Sequence, residues 1–417
     1  MIRLTYRIET PGSVEAMAAK IASDQSTGTF VAVPGETAEL KARVAARLVA
    51  IRPLEPVTVP SFPQQGSGPF NRGDADIEFP FDAIGTDLAA LMTIAIAGVY
   101  AIKGFSGIRI VDMKLPEQFR GCHPGPQFGL AGSRALTGVS GRPIIGTIVK
   151  PALGLRPHET AELVRDLAAA DADFIKDDEK LMSPAYSPLA ERVKAIMPVI
   201  LDRQQKTGKK IMYAFGISHA DPDEMMRNHD LVLKAGGNCA VININSIGFG
   251  GMAFLRKRSG LVLHAHRNGW DILTRHPGLG MDFKVYQQFW RLLGVDQFQI
   301  NGIAAKYWEP DDSFVASFKA VTTPIFAADD CALPVAGSGQ WGGQAPETYE
   351  RTGRTLDLLY LCGGGIVSHP GGAAAGVRAV RQAWEAAVAG IPLAVYARDH
   401  RELAQSLRKF GGKGGEA

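Results

Sequence analysis

Cysteine is scarce. The 417 residues hold four, Cys122, Cys239, Cys331 and Cys362, far apart and without a C-x-x-C pair. Neither a disulfide frame nor a zinc knuckle fits that spacing, and the pattern points to the reducing cytoplasm. No secretory signal is evident either, because Met1 to Thr10 alternates apolar and polar residues like a strand. Long hydrophobic runs are missing too: the longest, Leu88 to Ile102 between Asp87 and Lys103, falls short of the ~20 residues a membrane span needs. A buried helix is expected there. An excess of one charge is absent, since 45 Lys and Arg against 42 Asp and Glu leave +3 with no basic block. Nothing therefore points to nucleic acid or to a membrane as partner. What the sequence has in excess is glycine, 47 residues, which favours tight loops that approach ligands closely.

From Pro143 onward, short apolar strands alternate with amphipathic helices. Strands are expected at 143–151, 173–179, 210–218, 239–248, 261–267, 297–302, 332–339 and 358–366, with helices such as 158–172, 189–206, 222–235, 281–294 and 373–389 between them. Eight β/α pairs in about 250 residues read as a (β/α)8 TIM barrel. Residues 1–135 lack that rhythm. A strand (2–8), a helix (13–22), a Gly/Pro/Gln-rich loop (60–73), the apolar helix and a strand (108–115) suggest a small α+β, ferredoxin-like N-terminal domain. The expected organisation is thus an N-terminal domain over 1–135, a barrel over 136–408 and a flexible tail over 409–417, with the Gly- and Pro-rich stretch 120–142 as linker.

Polar residues collect at the C-terminal ends of the barrel strands, which is where active sites of this fold lie. Lys150 ends the first strand; the second carries Lys176, Asp178 and Glu179; the fourth has Asn243 and Asn245, the fifth His264, His266 and Arg267. Asp178 and Glu179 offer hard oxygens suited to Mg²⁺. An ordinary lysine beside them is a cation that cannot coordinate, so an ion pair and a metal site both remain open from the residues alone. Strands seven and eight run into Gly337-Ser338-Gly339 and Gly363-Gly364-Gly365, the usual place of a phosphate in this barrel. Residues 337–342 also fit G-x-G-x-x-G, but Asp357 would precede the next strand instead of ending it, which argues against a dinucleotide.

The string DFIKDDE at Asp173 to Glu179 closely resembles the G-x-D-F-x-K-x-D-E signature of the RuBisCO large-chain family, with Asp171 where the signature opens with glycine. Further similar strings run in the same order: STGTF at Ser26 to Phe30, KPALGL at Lys150 to Leu155, HAHR at His264 to Arg267, LPVAGSG at Leu333 to Gly339 and GGGIVSHPGG at Gly363 to Gly372. The resemblance implies that Lys176 reacts with CO₂ to become N6-carboxylysine and binds Mg²⁺ with Asp178 and Glu179. It also implies a homodimer, or a ring of dimers, in which Asp24, Thr29 and the Gly98 region of one subunit complete the barrel site of the next.

Departures from the family pattern are as informative. Ala152 replaces the second lysine of K-P-K, Gly98 an asparagine, Asp24 a glutamate and Phe30 a tryptophan; Gln299 stands for a phosphate-binding histidine, and Ala336-Gly337-Ser338-Gly339 for A-S-G-G. Lys306 could stand for the lysine of the mobile loop, but AAKYWEP around it differs. The chain thus resembles a type IV RuBisCO-like protein, not a ribulose-bisphosphate carboxylase. A small, singly phosphorylated substrate with a carboxylate at its far end is expected, its phosphate held by Thr29, Ser338, Gly339, Gly363 and Gly364 and its carboxylate by Arg267, with His264 also lining the site. Lys150 or His266 would manage the proton, with Lys176 in the catalytic set. Three reactions of the family share an enediolate stabilised by the metal: methionine-salvage enolisation, isomerisation of 5-methylthioribulose 1-phosphate, and decarboxylation or hydrolytic carbon-carbon cleavage of 3-oxo-isoapionate 4-phosphate in apiose breakdown. The polar side chains of Asn243, Asn245, Gln299, Asn301 and Ser338 favour the third over a methylthio pocket. A non-catalytic sugar-phosphate binder is the remaining alternative.

Overall fold

The computed structural model describes residues 1–29, 31, 33–63 and 67–412. Phe30 and the end of the expected tail, 413–417, lie outside them. Two compact units are present: one is Met1–His123 with Gly269–Phe289, the other Pro124–Asn268 with Trp290–Ala417. No helix among the described residues is long and apolar enough to cross a membrane.

The first unit is built on β1 (Ile2–Thr10), β2 (Arg47–Val57), β3 (Phe70–Phe79) and β4 (Gly107–Lys114), antiparallel in the order β4-β1-β3-β2, which is the ferredoxin-like order. Alternate residues of β1, namely Ile2, Leu4, Tyr6 and Ile8, are fully buried, as a strand with one covered face requires. Its helix Val14–Asp24 opens on Ser13, whose hydroxyl accepts from the Ala16 amide at 3.2 Å. The other face and the edge carry ion pairs: Arg3–Glu78, Arg7–Asp74 and Arg52–Asp76. β2 is an edge strand and contains Pro53 and Pro56, a position where a missing N–H is tolerated. The apolar stretch from Leu88 departs from expectation. Its helix ends at Ile96, Gly98 turns left-handed (φ 71°), and only Leu88, Leu91, Ala95 and Val99 are buried, while Ile96 is exposed.

Residues Gly269–Phe289 leave the barrel sequence and add β10 (Leu279–Met281) parallel to β4. Arg109 of β4 secures this excursion, donating to the carbonyls of His276 (3.2 Å), Leu279 (2.8 Å) and Met281 (2.9 Å) and pairing with Asp282.

In the second unit β5 (Ile144–Ile148), β6 (Phe174–Lys176), β7 (Met212–Gly216), β8 (Cys239–Asn243), β9 (Val262–His266), β11 (Gln297–Gln299), β12 (Leu333–Ala336) and β13 (Leu359–Leu361) close a parallel barrel, β13 returning to β5. Every expected barrel strand is present, shortened at its ends. Ile144, Phe174, Met212, Val241, Val335 and Leu361 fill the interior. Within 120–142, read as linker, helix Gly129–Thr137 forms, with Leu130 and Leu136 packed on that core. Its first amide, that of Gly129, and the preceding one of Phe128 are held by Asp296 before β11, so it lies at the N-terminal ends of the strands. Asp171, the departure from the signature glycine, has φ 60°, a left-handed conformation that aspartate tolerates better than most non-glycine residues. The signature glycine is thus a conformational requirement, met here by another residue.

Candidate active site

The carboxylate pair follows β6 directly. Lys176, the last residue of β6, is fully buried, with Nζ 3.4 Å from Glu179 Oε2. Asp177 points away and is consumed structurally, accepting from Tyr213 Oη (2.7 Å), the Gly216 amide (3.0 Å) and Arg192 (3.2 Å). Asp178 turns back to the rim and accepts from Lys150 Nζ at 2.6 Å. His266 Nε2 lies 3.6 Å from Glu179 Oε1, and Asn243 Nδ2 donates to the Glu179 carbonyl at 2.8 Å. Strands β5, β6, β8 and β9 therefore bring Lys150, Lys176, Asp178, Glu179, Asn243 and His266 together.

A third lysine, Lys180, joins them. Its ammonium lies 3.6 Å from Asp178 and 3.8 Å from Glu179, with 62% of the side chain exposed. Sequence reading passed over it, although it directly follows the carboxylate pair.

Burial pushes the Lys176 amine below the ordinary lysine range, against the pull of Glu179 and Asp178. Burial would raise Glu179, but its neighbours, Lys176 first among them, outweigh it and bring the carboxyl to about 2. Both histidines are uncharged near neutrality: burial, with Lys176 nearby, lowers His264 to about 3 and His266 to about 4. His264 sits deepest, and Gln297, whose amide nitrogen is committed to Ser133 Oγ at 3.0 Å, presents its oxygen to His264 Nδ1 at 3.0 Å. The side chain of Asn301, Asn243 Oδ1 and His266 Nδ1 are buried without a hydrogen-bond partner, polar capacity that a ligand can take up.

The remaining expected residues are placed less uniformly. Arg267 is forked onto Glu309 and both are nearly buried, so its guanidinium is already matched by a carboxylate. Ser338 (φ 67°) and Gly339 (φ 92°) form a left-handed turn after β12, where a Cβ on Gly339 would lie 3.2 Å from the Lys306 side chain. A Cβ on Gly363 would reach Lys150 Cε at 3.5 Å, whereas Gly364 faces open space. Lys306 lies over the Tyr307 ring, 4.9 Å from its centre. Thr29 belongs to the first unit, is exposed, and donates to the Val31 carbonyl.

The model for the ribulose bisphosphate carboxylase large chain catalytic domain matches residues 129–410, and that for its N-terminal domain residues 4–119. A 3-oxo-isoapionate-4-phosphate decarboxylase of Rhizobium etli is 80% identical over 99% of this chain and 100% of the relative. A 3-oxo-isoapionate-4-phosphate transcarboxylase/hydrolase of Xanthobacter autotrophicus is 46% identical over 93% of this chain and 94% of its own. A solved RuBisCO-like protein from Burkholderia fungorum superposes with a TM-score of 0.90 at 41% identity, covering 98% of this chain and 99% of the other.

Proposed function

The chain belongs to the ribulose bisphosphate carboxylase large-chain family, and we propose that it removes CO₂ from 3-oxo-isoapionate 4-phosphate. The observation that carries this reading is the 80% identity, across the whole chain, to the R. etli decarboxylase. It is a carbon-carbon-cleaving enzyme and not a ribulose-bisphosphate carboxylase, in keeping with Ala152 where the carboxylases have a lysine.

The rim fits a divalent metal under one condition. Among the described residues no three His, Cys, Asp or Glu side chains form a ready cage, so two carboxylates need a further anionic ligand. Lys176 supplies it if carbamylated. Its burial favours the neutral amine, which is the form that attacks CO₂, and Asn243 Oδ1 remains unpartnered beside Glu179. Lys176 as carbamate, Asp178 and Glu179 would then hold Mg²⁺, which supplies positive charge to stabilise the enediolate left when CO₂ departs.

The chain's own groups divide the remaining work. The carbon that loses CO₂ keeps the bonding electron pair and needs a proton. Lys150, whose Nζ lies 2.6 Å from Asp178 on the rim, is placed to deliver it, whereas His266, lowered to about 4, has none to give at neutral pH and acts as hydrogen-bond acceptor. The phosphate lies on the turns Ser338-Gly339 and Gly363-Gly364, which end paired strands, with Thr29 contributed from a partner subunit of a homodimer. His264 stays a neutral wall residue.

The test is direct: incubate the enzyme with Mg²⁺, bicarbonate and 3-oxo-isoapionate 4-phosphate and follow products by NMR. Release of CO₂ with a tetrulose phosphate is expected. Glycolate with 3-phosphoglycerate would make it a hydrolase, and absence of turnover would overturn the reading. Mass spectrometry of Lys176 in the CO₂- and Mg²⁺-activated enzyme should show the carbamate mass; an unmodified lysine in fully active protein would remove it from the metal set.

A further inference from the structure

We propose that Lys180 receives the carboxylate of the substrate and thereby selects a sugar-acid phosphate over a neutral sugar phosphate. The inference rests on the decarboxylase reading above. A phosphorylated 3-oxo acid brings two anionic ends, and a carboxylate leaves water readily only for a charged partner. Arg267, the partner that the sequence suggests, has its fork occupied by Glu309 in a nearly buried pair. His264 is fully buried against Gln297, and His266 faces Glu179 at 3.6 Å. Lys176 is fully buried and Lys150 is committed to Asp178 at 2.6 Å. Lys306 lies over Tyr307.

Lys180 differs from all of these. It stands one residue beyond the carboxylate pair, is mostly exposed, and meets Asp178 and Glu179 only at 3.6 and 3.8 Å, longer than a direct hydrogen bond. Most of the Lys180 side chain is in solvent, so its ammonium is free to turn toward an arriving carboxylate once Asp178 and Glu179 are taken up by a metal. The four-carbon stem of lysine also lets the charge follow the ligand. Loss of CO₂ removes the anion and with it this contact. Lys180 should therefore hold substrate more tightly than product. Because this contact is made before the chemical step, it contributes to KM more than to kcat.

The experiment compares wild type, Lys180→Met and Lys180→Arg at saturating Mg²⁺. In Lys180→Met, KM for 3-oxo-isoapionate 4-phosphate should rise about 10- to 100-fold, the loss of one charge-assisted hydrogen bond, with kcat within about threefold. Inhibition by the tetrulose phosphate product, which lacks the carboxylate, should stay unchanged, and Lys180→Arg should recover most of the affinity. An unchanged KM overturns the proposal. So does a loss carried by kcat, which would put Lys180 in the chemical step, or an equal loss of product affinity, which would mark general damage to the site. If wild type does not turn the compound over, the decarboxylase reading fails instead. Calorimetric binding of the same compound to wild type and Lys180→Met then still decides whether Lys180 holds its carboxylate.

Discussion

The buried charges below the barrel and those of the carboxylate cluster above it are treated in opposite ways, although Asp177 and the Arg267–Glu309 pair beside that cluster are saturated as well. At the N-terminal ends of the strands, Asp173 accepts from Arg142 at 2.5 and 3.0 Å and from the Ile145 amide at 2.9 Å, with Lys209 also 2.9 Å away. Asp296 accepts from Arg256 at 2.8 Å and from the amides of Phe128, Gly129 and Leu263. At the C-terminal ends, Lys176 and Glu179 meet only at 3.4 Å, and Asn301, Asn243 Oδ1 and His266 Nδ1 have no partner. A saturated charge stabilises the fold and has nothing left to offer a ligand. An unsaturated one is a liability to folding that binding can relieve.

The sharpest test of this contrast exchanges the readouts. Lys176→Met or Glu179→Gln should lower kcat by about a hundred- to a thousandfold, as expected when charge stabilisation is lost, while the melting temperature stays level or rises. Asp296→Ala should do the reverse: destabilisation of about 3–5 kcal/mol in urea titrations, because Arg256 is left charged, buried and unpaired, with kcat per folded molecule almost unchanged. A large kcat loss in Asp296→Ala at full folding would break the comparison.

Acid provides a smaller effect of definite sign. His264 and His266 have folded values near 3 and 4, below the ~6.5 of an unfolded histidine, so between those limits the unfolded chain binds more protons. Stability should fall as pH drops from about 6.5 toward 4 and be indifferent to these groups above it. His264→Asn should reduce that slope by about one proton, roughly 1.4 kcal/mol per pH unit, measured as urea midpoints across the range. The smallest effect belongs to Asp171→Gly. Freedom gained at φ 60° and loss of the Arg203 contact at 2.5 Å oppose each other, so stability should move by no more than about 1 kcal/mol, with kcat unchanged.

The same contrast explains how much could be read from the residues alone. All eight barrel strands were legible, because short, mostly apolar strands alternate in order with amphipathic helices. The carboxylate pair, Lys150 and His266 were legible because strand ends expose them in sequence order. β2 and β3 were not: RLVAIRPLEPV is interrupted by prolines, and FNRGDADIEF reads as a polar loop until its charges are seen paired across the sheet. The apolar stretch at Leu88 looked buried because composition does not reveal which faces a neighbour covers. The fork between Arg267 and Glu309 joins residues 42 apart, and no local pattern announces it.

The outer rim of β2 has a further consequence. This edge strand carries Pro53 and Pro56, neither of which has an amide hydrogen to offer. A strand from another molecule cannot zip onto it by continuous main-chain pairing, so concentrated protein is protected from fibrous growth along that margin, and any contact made there has to be written in side chains.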